Sequence, residues 1–453
     1  MITRSAANAG KRAADQEAAA TVAPKKHRPV LYIVSDDDDT DLMSEEPREP
    51  HTTDAYTREE MRYYDTLDAP SRAYIDDLET TLAAMYKGDK PLRFQVLLSN
   101  MDQHLKAIAM QRLSNVEPGA GEYAKIMHWV TGLTRLPIGV YRPLAVSRDS
   151  ERSAIADFIV NTKRVLDGEV YGHHNVKKQI LITLAKWIVN PGATGIVIGI
   201  QGPPGVGKTT LVKDGICKAL DLPFAFVPLG GANDSTYLDG FSYTYEGSTP
   251  GKIVDVLIKA RCMNPLICFD ELDKVADNSR GGEIYNVLMS LTDSTQNDKF
   301  SDKYFTDVEF DMSRCIVVFT YNDESKIHPV LKDRMICLTT DDYRFEDKIV
   351  IVRDFMLPKS LRMYDFTDAD VLFDEDIIRY LITTSGDATG LRTVKRNIDA
   401  LLGNLNLKKL VHRADFFGDG IDVAFPCRVT RRLVDAYVLK GRDDFASISH
   451  MYL

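Results

Sequence analysis

A chain of 453 residues, 44% of them hydrophobic, is long enough for two or three domains with their own cores and too long for one compact unit. A formal net charge of −10 argues against a broad nucleic-acid-binding surface. The sequence shows no apolar run near the roughly 18 residues of a membrane helix and no apolar secretory leader, so a protein inside the cell and off the membrane is expected. The six cysteines (Cys217, Cys262, Cys268, Cys315, Cys337, Cys427) form no CxxC pair and sit mostly in apolar runs, as reduced core residues do. The histidines include His173-His174 but no HExxH, so no metal is expected beyond the magnesium that accompanies a nucleotide.

Residues 1–68 carry alanine-rich, basic and acidic stretches with little apolar periodicity, the composition of a disordered charged tail. Within it, twelve residues separate Lys11-Arg12 from Lys25-Lys26-His27-Arg28, the spacing of a bipartite nuclear import signal. The alternative is an ordinary solvated charge cluster. The expected localisation is nuclear or cytoplasmic, with an import receptor as partner in the first case. Val30-Leu31-Tyr32-Ile33-Val34 followed by Ser35 and Asp36 to Asp39 resembles a SUMO-interacting motif, an apolar strand added to a sheet edge beside basic residues. A sticky linker without a partner is the other reading.

From 69 to 150 the apolar residues recur at helical spacing: Ile75, Leu78, Leu82 and Met85, then Leu97, Met101, Leu105 and Ile108, then Tyr123, Ile126, Met127 and Val130. This predicts a small helical bundle. A further helix through Ile155, Phe158, Ile159 and Leu166 leads to Tyr171-Gly172. Between 151 and 345, apolar strands at 195–200, 224–227, 266–270, 315–320 and 336–339 alternate with helices, which predicts an α/β domain with a doubly wound parallel sheet. From 346 to 440 the pattern is helical, at 346–356, 375–384, 391–405 and 430–439, and predicts a lid domain. Residues 441–453 form a C-terminal tail.

The first strand runs into Gly202-Pro203-Pro204-Gly205-Val206-Gly207-Lys208-Thr209, which fits G-x-x-x-x-G-K-[ST] without a mismatch, and a helix follows from Thr210. Strand, glycine turn and helix are the context that such a phosphate loop requires: backbone N–H groups curl round the phosphates and the positive helix end faces the anion. Lys208 is expected to reach the outer phosphates, and Thr209 to bind Mg2+. About sixty residues on, Leu266-Ile267-Cys268-Phe269 ends in Asp270-Glu271. Asp270 is assigned to the magnesium shell, and Glu271 to the base that orients and polarises the attacking water. Asn322, after the strand 315–320, is assigned to positioning that water; its bland reading is a turn former. Arg334, in Asp333-Arg334-Met335, is placed to reach the outer phosphate of a neighbouring subunit. Arg392, in Thr389-Gly390-Leu391-Arg392, is placed to touch phosphate in its own subunit; a surface salt bridge is the alternative.

With these residues in this order the chain resembles an AAA+ ATPase, and in particular the ATPase module of Lon proteases. The resemblance is carried by Tyr171-Gly172, Leu229-Gly230-Gly231, Tyr245 with Gly247, Pro250-Gly251-Lys252-Ile253, Asp270-Glu271-Leu272-Asp273-Lys274, Phe300-Ser301-Asp302, Asp333-Arg334-Met335 and Gly390-Leu391-Arg392. Upstream, Glu122-Tyr123, Trp129 and Leu136-Pro137 extend it, so that it covers about residues 70 to 440. It implies an ATP- and Mg2+-dependent ring, a homo-hexamer, acting as a protein unfoldase or chaperone on a protein substrate or adaptor. It also adds Tyr171 and Gly172 to the nucleotide-binding residues. Tyr245 becomes the residue that grips polypeptide in the pore; Glu246, where Lon has an apolar residue, is its neighbour. The Lon Ser-Lys peptidase and large N-terminal substrate domain are not expected within these residues. The alternatives are an ATPase subunit working with a separate peptidase, and a nucleic-acid-directed AAA+ motor, which the acidic balance disfavours.

Overall fold

The computed structural model describes residues 56–86, 90–115, 122–232, 234–245, 247–276, 278–386, 390–411 and 421–439. The basic pairs at 11–12 and 25–28, the apolar run 30–34, Glu246, Thr389 and the tail 441–453 lie outside them. By contact the chain divides into two units, residues 1–94 and 95–453.

In the first unit the expected tail ends earlier than residue 68, because Arg58–Asp65 is helical. Thr57 and Glu60 form a reciprocal capping box that satisfies two N-terminal donors, and Tyr64 Oη donates to Asp76 of the next helix, Ala69–Tyr86, at 2.8 Å. A charged segment with one cap and one tertiary anchor escapes a reading based on apolar periodicity alone.

In the second unit five strands form the central sheet: β1 (Ile196–Gln201), β2 (Phe224–Pro228), β3 (Leu266–Asp270), β4 (Ile316–Tyr321) and β5 (Ile336–Thr339). Their order is β2-β3-β4-β1-β5 and every pairing is parallel. Leu266 to Phe269 and all of β4 are buried, which is why they read as unbroken apolar runs: helices cover both faces. On one face Leu166, Ile180, Leu184, Leu211 and Ile216 pack on Ile198, Ile200 and Val318. On the chain's path, β4 lies far from β1, yet it sits between β1 and β3. This brings Asn322 between the phosphate loop and the acidic end of β3.

The helices from residue 95 to 150 belong to the same compact unit as the sheet. In helix Tyr123–Arg135, Trp129, Val130 and Leu133 are buried. Residues beyond the sheet build a second core, in which Val352, Leu381, Ile398, Leu402, Leu405 and Val434 are fully buried. Helix Arg392–Val411 continues past the expected end at 405, and a two-residue parallel ladder joins Val371–Leu372 to Cys427–Arg428. So short a ladder leaves no period-2 signal in sequence. Among the described residues no helix is long and apolar enough to cross a membrane.

Candidate nucleotide site

The phosphate loop connects β1 to the helix that begins at Lys208. Lys208 is almost fully buried, and its Nζ donates to Gly202 O at 2.6 Å, Pro203 O at 2.9 Å and Asn322 Oδ1 at 2.8 Å. Burial draws its pKa below the usual lysine value, while Asp270 and Asp273 pull the other way. The ammonium thus stands in the loop with its three donors used.

Asp270 closes β3, and Thr320 of the adjoining β4 donates its hydroxyl to Asp270 Oδ1, which fixes the carboxylate's rotation. Glu271 adopts φ 60°, a left-handed conformation that costs a non-glycine residue about 1–2 kcal/mol. Strain of this kind, held by its surroundings, marks functional positions. Here it turns the chain sharply at the strand end and leaves the Glu271 carboxylate against Gly230.

The lid closes onto the loop through backbone. Leu391 N donates to Gly205 O at 3.0 Å, and Gly390 N to Asp342 Oδ1 at 3.1 Å. Gly390 has φ 80°, and a Cβ there would stand 2.5 Å from Pro204 O and 2.6 Å from Gly205 C. Only glycine permits that approach, and it delivers Arg392, the first residue of its helix, to the phosphate loop.

Sequence reasoning missed the aromatic brace on the other side. Tyr343 Oη and His173 Nε2 lie 2.8 Å apart, and each reaches Val206 O, at 2.8 and 3.0 Å. Burial lowers the His173 pKa and raises that of Tyr343, so both are neutral groups holding one loop carbonyl. Tyr171 packs edge-on against Tyr343 and Phe355, and its hydroxyl donates to Asp347 at 2.7 Å. Tyr343 lies 137 residues after Val206 and His173 33 before it, and the three belong to no local pattern.

The phosphate loop, Tyr171, Tyr343, Phe355 and the lid line one cavity of about 430 Å3, within the range that small-molecule sites occupy. Its walls include Tyr171, residues 204–210, Asp270, Glu271, Asn322 and Arg392. Gly202 and Pro203 do not line it but supply the Lys208 carbonyls, and Gly172 lies behind, facing Tyr343. Its lining includes the apolar Val170, Ile351, Phe355, Met356 and Met363, the cations Lys208, Lys359, Arg392 and Lys395, and the acids Glu169, Asp214, Asp270 and Glu271. Arg334 lies outside: its Nη1 donates to Met289 O at 2.8 Å and its Nη2 pairs with Asp293 at 2.8 Å. Thr209 and Asp270 offer hard oxygen ligands, the donor type that Mg2+ takes alongside phosphate and water. Among the described residues no cluster of three or more His, Cys, Asp or Glu could form a separate metal cage. Outside the cavity, on the loop after Gly240, Tyr245 is 68% exposed.

A phosphate loop, an acidic strand end and a lid arginine around one cavity define a P-loop nucleoside triphosphatase with a helical lid. The sequence profile of the ATPase family associated with various cellular activities (AAA) matches residues 198–339. A Lon protease homolog of Acanthamoeba polyphaga mimivirus is 32% identical over 325 residues, 70% of this chain and 31% of that protein. Lon protease of Cytophaga hutchinsonii is 32% identical over 338 residues, covering 74% and 38% of the two chains. The mitochondrial Lon protease homolog of Schizosaccharomyces pombe is 33% identical over 305 residues, covering 67% and 27%. The chain carries a Lon-like AAA+ ATPase module, an ATP hydrolase by class, and spans about a third of the length of these curated relatives.

Proposed function

We propose that this chain hydrolyses ATP within a ring of like subunits, a hexamer, and uses the cycle to unfold or translocate polypeptide gripped by Tyr245. The observation that carries the reading is the convergence of Lys208, Asp270, Glu271, Asn322 and Arg392 on one cavity, with Tyr245 exposed on a separate loop of the same compact unit.

The adenine packs on the apolar lining residues Tyr171, Ile351 and Met356. Lys208 exchanges its carbonyl partners for the outer phosphates, whose charge it is better placed to satisfy than neutral oxygens are. Thr209 and Asp270 hold Mg2+, which neutralises phosphate charge when bound. Glu271 orients the attacking water and accepts its proton, and Asn322 fixes the water's second hydrogen bond. Arg392 senses the outer phosphate for its own lid, and Arg334 supplies charge to the neighbouring subunit's nucleotide. The reading assigns polypeptide movement to these residues and peptide-bond cleavage to none of them. The names of the relatives favour a second reading, in which a separate peptidase works with the ring; a peptidase that co-purifies in stoichiometric amount supports it. The basic pairs at Lys11-Arg12 and Lys25 to Arg28 support nuclear import, which substitution of both pairs in a tagged chain tests.

The primary test measures ATP turnover with and without an unfolded protein, for the native chain and for Tyr245→Ala. Turnover that rises with unfolded protein and loses that rise in the variant supports the reading. Turnover that rises only with DNA, or not at all, overturns it.

A further inference from the structure

Loop 240–247 has little backbone structure of its own. Among the described residues, Phe241 N donates to Thr249 O at 3.1 Å and Tyr245 N to Ser242 O at 3.1 Å. Its base is tight: a Cβ on Gly251 would stand 2.5 Å from Gly240 N, and Gly251 N donates to the buried Asp302 at 2.8 Å. Its tip carries three aromatic residues at alternate positions. Phe241 and Tyr245 are exposed, whereas the Tyr243 ring packs edge-on against Tyr304 at 5.7 Å between centroids.

What holds that inward ring comes from the helices that precede the ATPase sheet. Lys125, on helix Tyr123–Arg135, donates to Thr244 O at 3.2 Å and places its Nζ 4.6 Å from the Tyr243 ring centroid. Arg112, on helix Gln103–Ser114, stacks 3.9 Å over Trp129 and stands 5.3 Å from the same Tyr243 ring. It is fixed in turn by Asp307 at 2.6 Å. Trp129, one helical turn beyond Lys125, is buried against Phe305 and donates its indole N–H to Tyr304 O at 3.2 Å. Two cations from outside the sheet therefore converge on one loop ring, and one of them also holds the next residue's carbonyl. Cations over an aromatic face are held by the ring's quadrupole, and the attraction strengthens where water is partly excluded.

We propose that Lys125 and Arg112 are positioning residues which anchor loop 240–247 through Tyr243, so that Tyr245 is presented outward and ATP turnover responds to polypeptide. The helices between 103 and 135 then form the rear support of the polypeptide grip. The inference rests on the reading of Tyr245 as that grip, but the anchoring itself is measurable without it.

The experiment compares the full chain with Lys125→Met, Lys125→Arg and Tyr243→Leu, using casein as the unfolded probe. Hydrogen–deuterium exchange of peptides spanning 238–247 reads the anchor; basal turnover and the casein concentration for half-maximal stimulation read its consequence. Expected are faster exchange in that loop for Lys125→Met and Tyr243→Leu, basal turnover unchanged, and a half-stimulating concentration raised roughly fivefold or more, the size of one cation–π contact. Lys125→Arg, which keeps a cation over the ring, restores both. Loop exchange equal to that of the native chain in Lys125→Met and Tyr243→Leu overturns the anchor. A loop that loosens in a protein whose native form ignores casein sustains the anchor and overturns the polypeptide reading instead.

Discussion

Lys208 Nζ and Asn322 Oδ1 are 2.8 Å apart although 114 residues separate them in the chain. The contact exists because β4 is inserted between β1 and β3, so the residue after β4 faces the phosphate loop. Asn322→Ala should leave Lys208 its two carbonyl partners and ATP affinity within a few-fold of native. Hydrolysis should fall by about 10²-fold, as when one positioned donor is removed from a reacting centre. Equilibrium binding of a fluorescent ATP analogue, measured beside steady-state turnover, separates the two effects; a parallel loss of both contradicts the role given to Asn322.

Glu271→Gln keeps the volume and the left-handed turn but removes the base. Turnover should drop by roughly 10²- to 10⁴-fold with binding retained. The variant should also hold unfolded protein in a stable complex when ATP is present, seen as co-elution in size exclusion. Hydrolysis at the native rate means another group accepts the proton.

Much of this site was legible in sequence because its parts are local. The phosphate loop, the acidic strand end and the five apolar strands each declare themselves within ten residues, and the strands do so because both faces of a parallel sheet are covered. Tyr343 and His173 were not legible. Their common partner is the carbonyl of Val206, a backbone atom with no residue-specific signature, and they reach it from positions 137 residues downstream and 33 residues upstream. The helix Arg58–Asp65 escaped for a different reason: its support is a cap and a tyrosine–aspartate bond, and it has no buried apolar face. The motif singles out Arg334, but its hold on Asp293 and Met289 O is visible only in three dimensions.

Gly390 tests how the lid reads the nucleotide. Alanine there must adopt φ 80° at a cost of about 1–2 kcal/mol and also displace Pro204 O, which stands 2.5 Å from the new Cβ. The lid and the phosphate loop cannot then keep their present contact. Gly390→Ala should weaken ATP binding about tenfold or more and lose the thermal stabilisation that ATP confers, while the far-ultraviolet circular dichroism spectrum stays native. Unchanged thermal stabilisation by ATP argues that Arg392 acts without this backbone docking.

Arg334 is held in its own subunit by Asp293, whose carboxyl is kept below its usual pKa mainly by Thr295, with Arg334 adding to the effect. If Arg334 acts across a subunit boundary, Arg334→Ala and Lys208→Ala should each abolish turnover alone, and mixing them should recover part of it. Asp293→Ala, which frees the guanidinium from its tether, should lower turnover severalfold without reducing ATP binding. Absence of any recovery over a range of mixing ratios contradicts action in trans.

Asp302 gives the base of loop 240–247 a pH dependence whose sign is fixed by burial. Burial raises its pKa from 3.8 to about 6, opposed by N–H donors from Gly251, Tyr304 and Phe305 and reinforced by Asp239, which is itself paired with Lys303. The folded carboxyl thus keeps its proton to higher pH than the unfolded chain does. Its contribution to stability is fully present below about pH 4 and is lost as pH rises through about 6, a change on the order of 3 kcal/mol at 1.36 kcal/mol per pKa unit. Asp302→Asn removes that titration. It also places an amide N–H₂ where a backbone donor now finds an oxygen, at a cost of about 1–3 kcal/mol for the group left unpaired. The variant should therefore unfold at lower temperature than the native chain at pH 4.5, with the gap narrowing toward pH 7. Thermal midpoints of both proteins measured across that interval decide it, and a gap that widens with pH means the buried carboxylate stabilises the loop base more than its desolvation costs.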